Sequence, residues 1–142
     1  MATRILFRHG ASDRIQAASD WIARHWVPEE TLLVYAPDPA IADRLDRQLW
    51  LQPPTGFVPH CRAGSPLQAE SAVVIAGRID PATAAARLVN LSDEVPPGFA
   101  DFDELVEIVS TDDGVRLPAR ERFKFYRERG HEPTSEDVSG GR

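Results

Sequence analysis

Two short apolar runs, Thr31-Leu-Leu-Val-Tyr35 and Ala72-Val-Val-Ile-Ala76, constrain the fold of this chain more than any other feature. Neither run alternates with polar residues, so neither suits a strand with one face in water. Continuous runs of this kind belong to strands covered on both faces. The cover has to be helical, and the sequence supplies it. Ile15, Ala18, Ile22 and Trp26 recur at helical spacing before Pro28, behind Ser12 or Asp13 as a cap. Asp38-Pro39 opens a second amphipathic segment that carries Ile41, Leu45 and Leu49 on one stripe. Strands alternating with helices predict a mostly parallel sheet in an α/β domain, with helices on both faces.

The same reading extends along the chain. Arg4-Ile-Leu-Phe7 is a first strand that ends by Gly10. Phe57-Val58 is a brief edge segment, 81–86 a short helix, and Leu88-Val-Asn-Leu91 a short strand. Leu105-Val-Glu-Ile-Val109 is the last strand, and Arg116 to Gly130 the final helix. Asp112-Asp113 supply turn and cap chemistry ahead of that helix. Beyond Glu132 the residues are polar and rich in Ser and Gly. This divides the chain into one domain over 1–131 and a flexible polar tail over 132–142.

At 142 residues the chain fits one domain, and 42% apolar with 27% charged residues is ordinary for a soluble protein. Its apolar runs are too short to cross a bilayer, and Met1 leads into no export signal. The single Cys61 forms no internal disulfide, which suits a reducing cytoplasm. With 22 acidic residues against 16 basic and a net charge of −6, bulk charge has the wrong sign for nucleic acid.

Catalytic chemistry is thin. Arg8-His9-Gly10 after a strand has the form used by histidine phosphatases, where the His is the phosphoryl nucleophile and the Arg neutralises phosphate. That chemistry also needs a second His, further arginines and an acid for the leaving group. His25, His60 and His131 stand in no partner motif. His60-Cys61 lack the spaced second pair of a zinc site, and no glycine-rich phosphate loop is present. The expectation is a chain with no catalytic residues, no metal and no cofactor, with the phosphatase as a distant alternative.

Two surfaces stand out instead. Between Arg116 and Arg129 six basic residues face two acidic ones, a local +4 that leaves −10 for the rest of the chain. At about 100° per residue, Arg116, Arg120, Lys124 and Arg127 share an arc of roughly 80°, and Phe123 lies at the seam with the apolar arc of Ala119 and Tyr126. A cationic stripe beside an apolar seam suits an acidic peptide with a hydrophobic anchor; the plain alternative is a solvated helix face with Glu121–Lys124 pairing. Whether the helix starts or kinks at Pro118 decides whether Arg116 belongs to the stripe. The second surface is Trp50 to His60, where Trp50 lies off the apolar stripe and Leu51, Pro53, Pro54, Phe57, Val58 and Pro59 follow. Such a cluster makes an interface, or else caps the edge of its own sheet.

These segments also carry a resemblance. Arg44-Leu45-Asp46 with Leu49-Trp50, Phe57-Val58-Pro59-His60 with Ala63-Gly64, and Asn90-Leu91 with Pro97 and Phe99-Ala-Asp-Phe102 resemble the chi-subunit family of the bacterial DNA polymerase III holoenzyme. So does Ala119-Arg-Glu-Arg-Phe-Lys-Phe-Tyr-Arg127 with Gly130, in the family's order and spacing. The resemblance implies a Rossmann-like fold and a non-catalytic accessory role in DNA replication. It implies a site for the acidic C-terminal tail of single-stranded-DNA-binding protein, which ends in Pro-Phe, at Val109, Arg116, Arg120, Phe123 and Lys124. In that site Arg120 takes the terminal carboxylate, Arg116 and Lys124 attract the upstream aspartates, and Val109 and Phe123 hold the terminal ring. It implies a second face for the psi subunit of the clamp loader, or for an XPD-like helicase, at Trp50, Phe57, Val58, Pro59 and His60. A partner on each face would link the clamp loader to coated template in the cytoplasmic replisome, with little direct nucleic-acid binding. Phe123 stands where some relatives carry Tyr, and the first helix carries little of the family's signature.

Overall fold

The computed structural model describes residues 3–51, 58–66, 71–79 and 86–139. Its strands are β1 (Arg4–Ala11), β2 (Leu32–Tyr35), β3 (His60–Arg62), β4 (Val73–Ala76), β5 (Arg87–Asn90), β6 (Glu104–Ser110) and β7 (Thr134–Asp137). They form one sheet in the order β3-β4-β2-β5-β6-β1-β7, and every neighbouring pair is parallel. The helices are α1 (Arg14–His25), α2 (Pro39–Trp50) and α3 (Asp113–Glu128). The expected α/β architecture with a parallel sheet is the observed one.

The apolar runs behave as their composition predicts. Leu32 and Val34 of β2 face the α1–α2 layer, with Ile15, Ile22, Leu45 and Leu49. Leu33 and Tyr35 face the α3 layer, with Ala119 and Tyr126. One strand therefore supplies two cores, and each fully buried aliphatic side chain is worth about 1.5–3 kcal/mol. Both early helices start where their caps predict. Asp13 accepts the N–H groups of Ile15 and Gln16, and Asp38 accepts that of Ala40 with Pro39 in the first turn. α1 stops at His25, just before the expected Trp26.

Several boundaries differ from expectation. β1 continues to Ala11, through a bulge between Arg8 and Ala11 where Gly10 takes φ 86°. A brief edge strand lies at His60–Arg62. Val58 packs in the α1–α2 core at 1% exposure, and Phe57 lies outside the described residues. The expected helix over 81–86 falls, but for Ala86, outside them too. α3 begins at Asp113, so it runs through Pro118 and keeps Arg116 on the helix. Asp112 holds the cap position without a side-chain hydrogen bond.

The tail expected to fray from Glu132 contains a strand. β7 pairs with β1 in register Leu6↔Thr134 to His9↔Asp137. All four of its side chains are exposed, so backbone pairing and the Arg8–Glu136 ion pair hold it rather than apolar burial.

The position of α3 is set by a buried polar cluster. Glu107 interrupts the apolar run of β6 and is fully buried. Its carboxylate accepts two bonds from the Arg122 guanidinium at 3.0 and 3.1 Å, one from the Tyr126 hydroxyl at 2.7 Å, and bonds from Asn90 Nδ2 at 3.0 and 3.1 Å. A buried carboxylate persists only when paired and hydrogen-bonded, and here three side chains from β5 and α3 converge on it. Behind it, Arg14 donates to the carbonyls of Ile108 and Ser92, tying α1 to the ends of β6 and β5. Burial lowers the Arg14 guanidinium to about 10. Around Tyr126 the rings of Phe7 and Phe99 stack edge-on and tilted, with centroids 5.1–5.9 Å away. α3 is therefore held by both polar and aromatic contacts, and its register on the sheet is fixed.

Candidate functional site

Where α3 leaves the sheet, beyond the carboxyl ends of β1 and β6, a cleft of about 270 Å³ opens. Open α/β sheets place their ligands at this end of the strands. Phe7, Val109, Ala119 and Phe123 give the cleft an apolar lining, and Arg116, Arg120 and His9 supply its charged and titratable groups. The Phe123 ring packs edge-on against Phe7 at 5.1 Å, so it presents a fixed apolar surface rather than a mobile one.

Four of the five residues expected for an acidic tail (Val109, Arg116, Arg120 and Phe123) thus line one cleft. The fifth, Lys124, lies one turn on, in a shallow depression with Leu117, Pro118, Glu121 and Arg120. Arg120 borders both.

The three cations are not equivalent. Arg116 pairs with Asp113 on its own helix, and Lys124 pairs with Glu121 at 3.6 Å. Arg120 is exposed and has no carboxylate partner among the described residues. Its five donors stand free for a planar acceptor, the geometry that a carboxylate satisfies with two parallel bonds. Arg122, counted with the stripe in the local charge, is 3% exposed and spent on Glu107.

The Trp50 surface lies on another part of the molecule, at the C-terminal end of α2 beside β3. Trp50 is 62% and Leu51 69% exposed. His60 lies beneath, its ring 4.9 Å from that of Trp50 and held between the Val58 carbonyl at 2.7 Å and Asp46 at 2.8 Å. Pro59 is half-buried. Of the residues expected there, Trp50 presents itself to solvent, His60 supports it, and Val58 belongs to the core. Leu51 joins the exposed patch.

The tripeptide Arg8-His9-Gly10 does not assemble as phosphatase chemistry requires. Successive strand residues point to opposite faces. His9 lines the α3 cleft, whereas Arg8 points to the α1 side and pairs with Glu136. His25 stacks on Trp21, His60 lies under Trp50 and His131 packs on Phe99, so none of them lines the cleft. Gly10 serves the backbone: a Cβ there would meet Asp137 Oδ1 at 2.6 Å.

Sequence reasoning missed the Glu107–Arg122–Tyr126 cluster that positions this site. The signal was a lone carboxylate inside an apolar strand, which demands a buried partner. Among the described residues no three or more His, Cys, Asp or Glu are grouped to hold a metal ion, and no helix is long and apolar enough to cross a membrane.

Comparison with known proteins places this geometry. In fold, the chain is similar to the C-terminal domain of Saccharomyces cerevisiae Dbp5, solved bound to Gle1 and IP6. The TM-score is 0.65 over 97% of this chain and 91% of that one, at 9% identity. In sequence, it is 30% identical to DNA polymerase III subunit chi of Pseudomonas aeruginosa, over 84% of this chain and 83% of that protein. It is 32% identical to the Escherichia coli subunit over 85% and 83%, and 29% identical to that of Haemophilus influenzae over 87% and 86%. The family model described as DNA polymerase III chi subunit, HolC, matches residues 2–134, a span that takes in both surfaces. The chain belongs to the DNA polymerase III chi subunit family, accessory subunits of replication.

Proposed function

We propose that this chain is a non-catalytic replication adaptor whose α3 cleft receives the acidic C-terminal tail of single-stranded-DNA-binding protein. The observation that carries the reading is Arg120, unpaired among the described residues and placed where an apolar cleft meets a cationic helix face. A peptide ending in an aromatic residue offers the complement. Its terminal carboxylate pairs with Arg120, and its last ring enters between Val109 and Phe123. Its upstream aspartates lie along Arg116 and Lys124. Those two cations exchange one carboxylate for another, so they steer the peptide more than they hold it.

The Trp50–Leu51 patch, with His60 and Pro59 beside it, is the second docking face, for psi or an XPD-like helicase. Its support is two large apolar side chains, adjacent in sequence and both exposed to solvent. One partner on each face makes the chain a link between clamp loader and coated template in the cytoplasmic replisome. A net charge of −6 leaves little reason for it to bind nucleic acid directly.

Fluorescence anisotropy of a labelled peptide copying the host protein's tail tests the reading. Saturable binding that weakens as salt rises is expected, because the site is exposed and its partner acidic. Absence of saturable binding at low salt would remove the cleft from consideration as the tail site.

A further inference from the structure

The Arg8-His9-Gly10 motif leaves one residue unexplained: His9 lines the α3 cleft, half-buried, and its ring makes no hydrogen bond among the described residues. We infer that His9 is a proton-dependent contact for the acidic peptide, so that peptide binding is coupled to proton uptake in the cleft. The inference rests on the tail-binding reading and adds a residue outside the basic helix stripe.

The electrostatic surroundings make His9 responsive. On β7 its register partner is Asp137, and the two carry opposite charge when the imidazole is protonated. The Asp137 carboxylate is held below its usual range by hydrogen bonding to Ser139 and, in smaller part, by His9. From α3, Arg116 and Arg120 bring positive charge into the same cleft. On β1 itself Arg8 points to the other face and is matched by Glu136. The groups contributed by the end of β6, Ser110 and Thr111, are neutral.

An arriving carboxylate changes this balance. It neutralises Arg120, a positive charge lining the same cleft, and it adds negative charge near His9. Both effects favour the protonated ring. An imidazole titrates between about pH 5 and 8, whereas peptide aspartates and the terminal carboxylate stay ionised above about pH 5. Carboxylate approach raises an imidazole's proton affinity about tenfold. Binding therefore tightens as pH falls through the range in which only histidine changes charge.

The test is titration of a labelled acidic peptide with a free C-terminal carboxylate against the full chain at pH 8.0, 7.0, 6.0 and 5.5. Wild type, His9→Gln and Asp137→Asn are compared at constant ionic strength, with thermal melts confirming that each is folded. The wild type is expected to bind about five- to tenfold tighter at pH 5.5 than at pH 8. In His9→Gln the ratio of affinities between pH 5.5 and pH 8.0 falls to about one, whatever the absolute affinity. Asp137→Asn removes the negative charge beside His9 that favours the protonated ring, so the tightening sets in at lower pH than in the wild type. Calorimetry in two buffers of different ionisation heat supplies the second readout: net proton uptake at pH 6.5 in the wild type, lost in His9→Gln. Equal pH dependence in wild type and His9→Gln overturns the role of His9 while leaving the cleft as the peptide site. No peptide binding at any pH overturns both.

Discussion

Arg120 and Arg122 stand two residues apart on α3 and do opposite work. Arg122 is buried, with two nitrogens on the Glu107 carboxylate, and it secures the helix to the sheet. Arg120 points about 200° away on the wheel, into solvent at the mouth of the cleft, with no carboxylate partner among the described residues. A tally of charge treats them alike. If Arg120 binds as proposed, the difference teaches that a binding arginine is one the fold leaves without a partner, on a helix that its neighbour's partner holds in place.

That contrast can be broken by substitution. The largest effect belongs to the buried pair. Arg122→Ala leaves Glu107 uncompensated in the core and is expected to cost about 3–5 kcal/mol of stability, read as a lowered denaturant midpoint. Glu107→Ala should do the same from the other side. A cost under about 1 kcal/mol for both would mean that the cluster does not set the position of α3.

Arg120→Ala reverses the profile. Tail-peptide affinity should fall by about 1.5–3 kcal/mol with the loss of a charged hydrogen bond. Stability, measured by the same denaturation, should stay within about 0.5 kcal/mol.

Tyr126→Phe sharpens the account of the buried side. The lost bond to Glu107 should cost about 1–2 kcal/mol, since Arg122 and Asn90 still satisfy the carboxylate. Burial, then the charge and hydrogen bond of Glu107, push the Tyr126 hydroxyl well above the ordinary tyrosine range. Above about pH 10 the unfolded chain releases that proton while the native chain keeps it. The unfolded state then binds fewer protons at this group, so its contribution to stability falls with rising pH, by about 1.4 kcal/mol per pH unit. Arg14, lowered to about 10 by burial, acts in the opposite sense over the same range. Tyr126→Phe should flatten that fall in alkaline denaturation curves. A shallower residual slope should come from Tyr35, which burial and Glu94 also raise.

The smallest effect is on the rim. Lys124→Ala should weaken the peptide by no more than about 1 kcal/mol, because Glu121 already occupies the ammonium. Its signature is a shallower salt dependence, read from titrations at two ionic strengths.

The sequence made the centre of the sheet legible and left its edges obscure, for a physical reason. β2 and β4 are buried on both faces, so their apolar runs leave no other assignment. β7 is Thr-Ser-Glu-Asp with every side chain exposed, and a strand held by its backbone leaves no hydrophobic signature. β3 is likewise short and polar. In the candidate site, the wheel placed Arg116, Arg120 and Phe123 together because α3 is continuous through Pro118. It could not assign Arg122 to Glu107, since the two belong to different elements, although a carboxylate between Val106 and Ile108 asks for such a partner. Val58 followed the same logic in reverse: its apolar neighbours suggested a surface patch, and the fold placed it in the core.

The most direct test of the central claim is a double-mutant cycle between Arg120→Ala and amidation of the tail peptide's terminal carboxylate, read as binding free energy by calorimetry. If Arg120 holds that carboxylate, each change alone weakens binding, and the second costs little once the first is made. Their coupling should then be about 1–3 kcal/mol. Costs that simply add would place the carboxylate elsewhere and contradict the account.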